Sequence, residues 1–140
     1  MTRRILVLTL VAVFSSSFAV GKALADGPGA RYAVTVAPVS APKGQPAKAT
    51  VLIKPAAGYH LNEEFPTKLA LKPTVGVVLA KAEFAKQDAK LSRDEGRFEV
   101  TLVGNEPGQK AVQGSLKFAV CTETTCEPQN ASVRIDFLVK

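Results

Sequence analysis

The chain is poor in the residues that carry most enzyme chemistry: in 140 residues it has two cysteines, Cys121 and Cys126, and one histidine, His60. Three such ligands, without the paired spacings of structural zinc sites, exclude a metal centre of the usual kind. No serine nucleophile motif and no phosphate-binding glycine loop occurs, so neither a serine hydrolase nor a bound cofactor is expected. Aromatic residues are few, 6% of the chain, and are not interleaved with the lysines. Nucleic-acid binding, which needs basic groups with stacking platforms, is therefore not expected. The lysines are scattered among carboxylates, the pattern of a solvated surface. Glu63-Glu64 and Asp94-Glu95 are adjacent pairs in polar segments and read as solvated loop charges, not as a catalytic pair. A long apolar run is also missing: residues 5–20 make 16, interrupted by Ser15, Ser16 and Ser17, short of the roughly 20 that span a bilayer.

That run is better explained as a secretory signal. Arg3 and Arg4 precede it, and Ala23-Leu24-Ala25 follows it as a small-residue cleavage site, so cleavage is expected before Asp26. The expected organisation is a signal peptide over 1–25 and a single domain over 26–140, periplasmic or secreted, with no stable membrane anchor after cleavage. Loss of Arg3, Arg4 and Lys22 leaves 15 basic against 12 acidic residues, lowering the formal charge from +6 to +3. In an oxidising compartment a lone pair of cysteines is by default a disulfide.

Downstream of the leader the apolar residues recur with period two, the signature of strands with one buried face. Seven such runs occur: Tyr32, Val34 and Val36; Ala49, Val51 and Ile53; Leu69 and Leu71; residues 75–79; Phe98, Val100 and Leu102; Leu116, Phe118 and Val120; and Val133, Ile135, Phe137 and Val139. Between them lie stretches rich in proline, glycine and asparagine, such as Gly104-Asn-Glu-Pro-Gly108. Short, evenly spaced strands without a helical period predict an all-β, immunoglobulin-like antiparallel sandwich of about seven strands. The longest polar connection, residues 84–97, is expected to be a surface loop.

Strand parity places the cysteines. If Leu116, Phe118 and Val120 face the core, Cys121 faces the other way and is expected on or near the surface. Cys126 opens the final connection, so the two sulfurs can meet across a short hairpin-like loop. A bridge around so few residues removes about 2 kcal/mol of loop entropy, at the weak end of the range. His60, in a turn beside Gly58 and Tyr59, is expected to hydrogen-bond a neighbouring strand or loop. Tyr59 and Phe65 read as core or half-core residues. Asn130-Ala-Ser132 fits the glycosylation acceptor pattern, a triplet common by chance.

Three stretches carry a family resemblance: Gly58-Tyr-His-Leu-Asn62 with Phe65-Pro-Thr67 and Leu69-Ala-Leu71; Leu91-Ser-Arg-Asp-Glu-Gly96 leading into Phe98-Glu-Val-Thr-Leu102; and Gly114-Ser-Leu-Lys-Phe-Ala-Val-Cys121 with Cys126-Glu-Pro128. In order and spacing they resemble the N-terminal periplasmic domain of the thiol:disulfide interchange protein DsbD, the disulfide bond corrector domain family. The resemblance implies that Cys121 and Cys126 form a reversible, redox-active disulfide followed by the matching Pro128. It also implies partners: a membrane electron transporter or thioredoxin-like donor on one side and oxidised periplasmic proteins on the other. The family's aromatic cap loop has no counterpart in residues 85–95, which lack an aromatic residue, and Phe84 is the nearest substitute.

From the residues themselves, disulfide exchange needs an accessible sulfur and a tolerable leaving thiolate. Nothing basic lies between the cysteines, while Glu123 and Glu127 flank them, and carboxylates disfavour a thiolate. Two functions follow as expectations. One is a thiol-disulfide exchange module that relays electrons through Cys121 and Cys126, a component of protein-disulfide reduction that depends on another protein's activated thiol. The alternative is an immunoglobulin-like binding or structural module whose disulfide only pins a hairpin.

Overall fold

A computed structural model describes residues 30–140, so the expected signal peptide and its cleavage site lie outside the described residues. Eleven strands form two sheets: β1 (Tyr32–Val36), β2 (Val39–Ala41), β3 (Pro46–Pro55), β4 (His60–Leu61), β5 (Lys68–Leu71), β6 (Val77–Leu79), β7 (Glu83–Phe84), β8 (Ala89–Leu91), β9 (Gly96–Gly104), β10 (Gly108–Cys121) and β11 (Cys126–Val139). The five-stranded sheet runs β1-β3-β9-β6, with β8 beside β6 on the same edge of β9. The six-stranded sheet runs β2-β11-β10-β5-β7, with β4 pairing the end of β10. All pairs are antiparallel except β2 with β11. No helix among the described residues is long and apolar enough to cross a membrane.

The period-two pattern explains the two layers. Along β3, Ala47, Ala49, Val51 and Ile53 are buried while Lys48 and Lys54 are exposed; along β9, Phe98, Val100 and Leu102 are buried while Arg97 and Glu99 are exposed. Val112, Leu116, Phe118 and Val120 of β10 and Val133, Ile135, Phe137 and Val139 of β11 close the core from the other sheet. Burying each such side chain is worth about 1.5–3 kcal/mol. Gly114 stands where this inward series on β10 meets β5: a Cβ there would lie 2.4 Å from the Ala70 carbonyl oxygen. Only glycine lets the two strands approach so closely.

Each of the seven runs read from the sequence falls on a strand, and the immunoglobulin-like sandwich stands. Four further strands, β2, β4, β7 and β8, have two or three residues each, too few for a period to register. The run over 75–79 is shortened at its start, because Val75 and Gly76 form the turn that Val77 closes by donating to the Thr74 carbonyl. The segment 84–97 is not a plain surface loop. It holds the end of β7, a 3-10 turn at Lys86–Asp88, β8, and the start of β9. Ala89 and Leu91 are half-buried there while Lys90 points out, so three residues suffice to pair along β9 at Gly96 to Phe98.

Candidate functional site at the disulfide end

β10 and β11 pair over their full 14 residues each, from Gly108 opposite Val139 to Cys121 opposite Cys126. The connecting turn is built by threonines. Thr122 N–H donates to the Thr125 carbonyl at 2.7 Å, and the Thr122 hydroxyl oxygen accepts from the N–H of Thr125 at 3.2 Å. Thr122 and Thr125 are thus a hydrogen-bonded pair, and the alternation of antiparallel ladders makes Cys121 and Cys126 the adjacent non-hydrogen-bonded pair. In such pairs the side chains stand closer, and here the Cα atoms are 4.0 Å apart and the sulfurs are bonded.

Parity is as expected: Phe118 and Val120 face the core and Cys121 faces the outer side of the sheet. Its exposure is not as expected, because Cys121 is only 3% exposed, whereas Cys126 is exposed. The correction has a local cause. β4 joins the edge of β10, setting His60 opposite Cys121 and Leu61 opposite Val120, and Asn62 N–H then donates to the Ala119 carbonyl at 3.0 Å. The chain turns tightly after that, with the Asn62 carboxamide oxygen accepting from Glu64 N–H at 2.9 Å. This segment shelters the outer side of β10 where Ala119 and Cys121 would otherwise meet solvent.

A shallow recess of about 250 Å³ lies beside the disulfide, lined by both cysteines, His60, Leu61, Asn62, Glu63, Glu64 and Arg93. His60 is therefore at the cysteine site, not away from it. Arg93 is held there by its own backbone, whose carbonyl accepts from Leu61 N–H at 2.8 Å. His60 and Arg93 thus border a recess that Glu63 and Glu64 also line, beside cysteines whose charged sequence neighbours, Glu123 and Glu127, are acidic. Of the flanking carboxylates, Glu127 is ion-paired with Arg31 and Glu123 stands exposed in the turn. Neither Arg93 nor Arg31 was identified from the sequence. Arg93 reaches the recess through the backbone pairing of a distant segment with Leu61, Arg31 reaches only the Glu127 carboxylate, and only the asparagine-led turn at Asn62 left a local signal.

The other candidates disperse. Phe84 is not a cap over the disulfide: it is buried in the core, edge-on to Phe98 at 6.1 Å between ring centres, with the Lys81 ammonium 5.6 Å from its own ring centre. Tyr59 is half-buried against the core and Phe65 is half-buried in the turn after β4. Glu95 hydrogen-bonds Arg97 at 2.7 Å, and Asp94 is exposed. Among the described residues, no three histidine, cysteine or acidic side chains converge as a metal site. Among the described residues, the acidity that is displaced is that of Asp88. A hydrogen bond from Lys81, joined by one from the Ala85 N–H, holds its carboxyl below the ordinary value of 3.8.

No family model matches the chain, and no curated protein matches it. Among solved structures, it is similar to the crystal structure of AggA, the major subunit of aggregative adherence fimbriae type I from Escherichia coli. The TM-score is 0.44 at 12% identity, over 78% of this chain and 94% of that one. These findings correct the resemblance to the DsbD domain. The apolar residues among those that carried it have a simpler origin: Leu61, Leu69, Leu71, Phe98, Val100, Leu102, Leu116, Phe118 and Val120 are all buried core positions. Any sandwich with these strand lengths needs apolar residues at that spacing.

Proposed function

We propose that the chain is an exported immunoglobulin-like binding or structural module, in which the Cys121–Cys126 disulfide pins the tip of the β10–β11 hairpin. The observation that carries this reading is the burial of Cys121 opposite Cys126 as the last pair of a 14-residue ladder. A thiolate leaving from a sheltered, weakly solvated position is disfavoured. Arg3, Arg4, the apolar run and Ala23-Leu24-Ala25 support export, and so does a disulfide. The test is the reduction potential and the rate of reduction of the folded protein by a thioredoxin-class dithiol. A structural bridge gives a potential below about −300 mV and slow reduction.

A second reading, the thiol-disulfide relay, draws on one observation: Cys126 is exposed and the pair borders an open recess with His60 and Arg93. On that reading a donor thiolate attacks the Cys126 sulfur and expels Cys121 as thiolate. A second donor thiol then releases the donor as its own disulfide, leaving both cysteines reduced. A potential near that of thioredoxin, about −270 mV, with rapid reduction of the folded chain, would decide for the relay and against the staple.

A further inference from the structure

We infer that the outer edge of β11, from Asn130 to Asp136, docks an extended segment of a partner protein, which joins the six-stranded sheet as a further strand. One edge of β11 is filled by β10 along its whole length, but among the described residues the other is paired only at Phe137, Leu138 and Val139, by β2. The ladder fixes which backbone groups face that outer edge. Because Thr122 and Thr125 are a hydrogen-bonded pair, the odd-numbered residues of β11 turn their N–H and C=O groups toward β10 and the even-numbered ones turn them away. Lys140 obeys the same phase, donating its N–H to the Ala41 carbonyl at 3.0 Å. Asn130, Ser132 and Arg134 therefore present N–H and C=O groups outward. Among the described residues these groups have no hydrogen-bond partner, and all three residues are exposed.

A row of donors and acceptors at every second residue, about 6.6 Å apart, matches the backbone of an extended strand. Of the devices that blunt sheet edges, this stretch carries outward charge alone, Arg134 and Asp136, and the two neutralise each other in an ion pair at 2.8 Å. Its inward side chains, Ala131, Val133 and Ile135, carry no charge, and it contains neither lysine nor proline. Pro128, an outward position whose missing N–H leaves no ladder bond unmade, ends the row on one side, and β2 ends it on the other. β1 lies against β11 from the opposite sheet, and its Val34 and Val36 are only half-buried on the core side. An added strand would lay its inward side chains beneath them. The occupant is thus a segment with small apolar residues at alternate positions and polar ones between.

The partner is the one that the binding-module reading requires, while the role of the disulfide does not enter. The probe is an acetylated, amidated Thr-Val-Thr-Val-Thr-Val-Thr peptide, titrated into the oxidised chain while amide hydrogen exchange is followed residue by residue. With free peptide at about ten times its Kd, the amides of Ser132 and Arg134 should slow about tenfold. Those of Ala131, Val133 and Ile135, already bonded to β10, should not change. Ser132→Pro, which removes an outward N–H without breaking the β10 ladder, should abolish binding with circular dichroism unchanged; Arg134→Pro serves if that variant does not fold. Protection appearing instead on β1, binding that survives both prolines, no binding at about 1 mM peptide, or a chain already dimeric through this edge would each overturn the inference. Such a result with a disulfide that resists reduction would leave the binding-module reading standing. A readily reduced disulfide with the edge protected would do the reverse.

Discussion

Phe118 concentrates the core's dependence on single side chains. It is 1% exposed, and its ring stands perpendicular to that of Tyr32 with 4.7 Å between ring centres, tying β1 of one sheet to β10 of the other. Phe118→Ala leaves a cavity where both sheets meet, and a loss of about 3–5 kcal/mol is expected in urea denaturation. At Asp88 the effect is on pH dependence. Its folded-state acidity lies below the ordinary 3.8 because Lys81 and the Ala85 N–H stabilise the carboxylate. The contribution is therefore fully present above the ordinary value and is lost as pH falls through the lower, folded one. Lys81→Met should bring the Asp88 titration, read by carboxyl NMR, back toward its ordinary position and flatten the acid limb of the stability curve. Because the pair lies at the surface, where solvent screens it, the change should be small.

Among the elements, the β10–β11 hairpin is the clearest case of sequence specifying structure. The alternation from Leu116 to Val120 and from Val133 to Val139 reads directly as inward faces, and it survives in the structure without a slip. The same holds for β3 and β9. What the sequence does not display is anything made by short segments pairing at a distance. β4 has two residues, yet it covers the edge of β10, brings His60 opposite Cys121, and with Asn62 buries a sulfur that parity alone assigns to the surface. β7 is equally short, and it takes Phe84 into the core through its pairing with β5. Periodicity reports a face only when several residues repeat it, so the cysteine ladder position was legible and its shelter was not. Replacing both cysteines by serine should cost about 2 kcal/mol on the chain-entropy account. Amide exchange should rise across Thr122 to Thr125, and the amides of Phe98 and Val100 in β9, which open only with the whole chain, should lose protection by about the same 2 kcal/mol.

For the molecule as a whole, stability resides in the apolar layer between the sheets and not in its charges. Every ion pair among the described residues has at least one side chain more than two-fifths exposed, from Arg31–Glu127 to Arg134–Asp136. Pairs of that kind contribute about 0–1 kcal/mol each and are screened by salt. Raising the salt from about 0.05 to about 0.5 M should therefore move the unfolding free energy by no more than about 1 kcal/mol, as measured by the urea midpoint. The parallel pairing of β2 with β11 has a mechanical side. β1 and β2 lead away from the disulfide end, and β11 runs the same way to Lys140. A pull applied between Ala30 and Lys140 would thus draw β2 and β11 past one another along their length. Their bonds run across the line of force and would have to yield together, so the clasp between the two ends of the described chain loads in shear instead of unzipping.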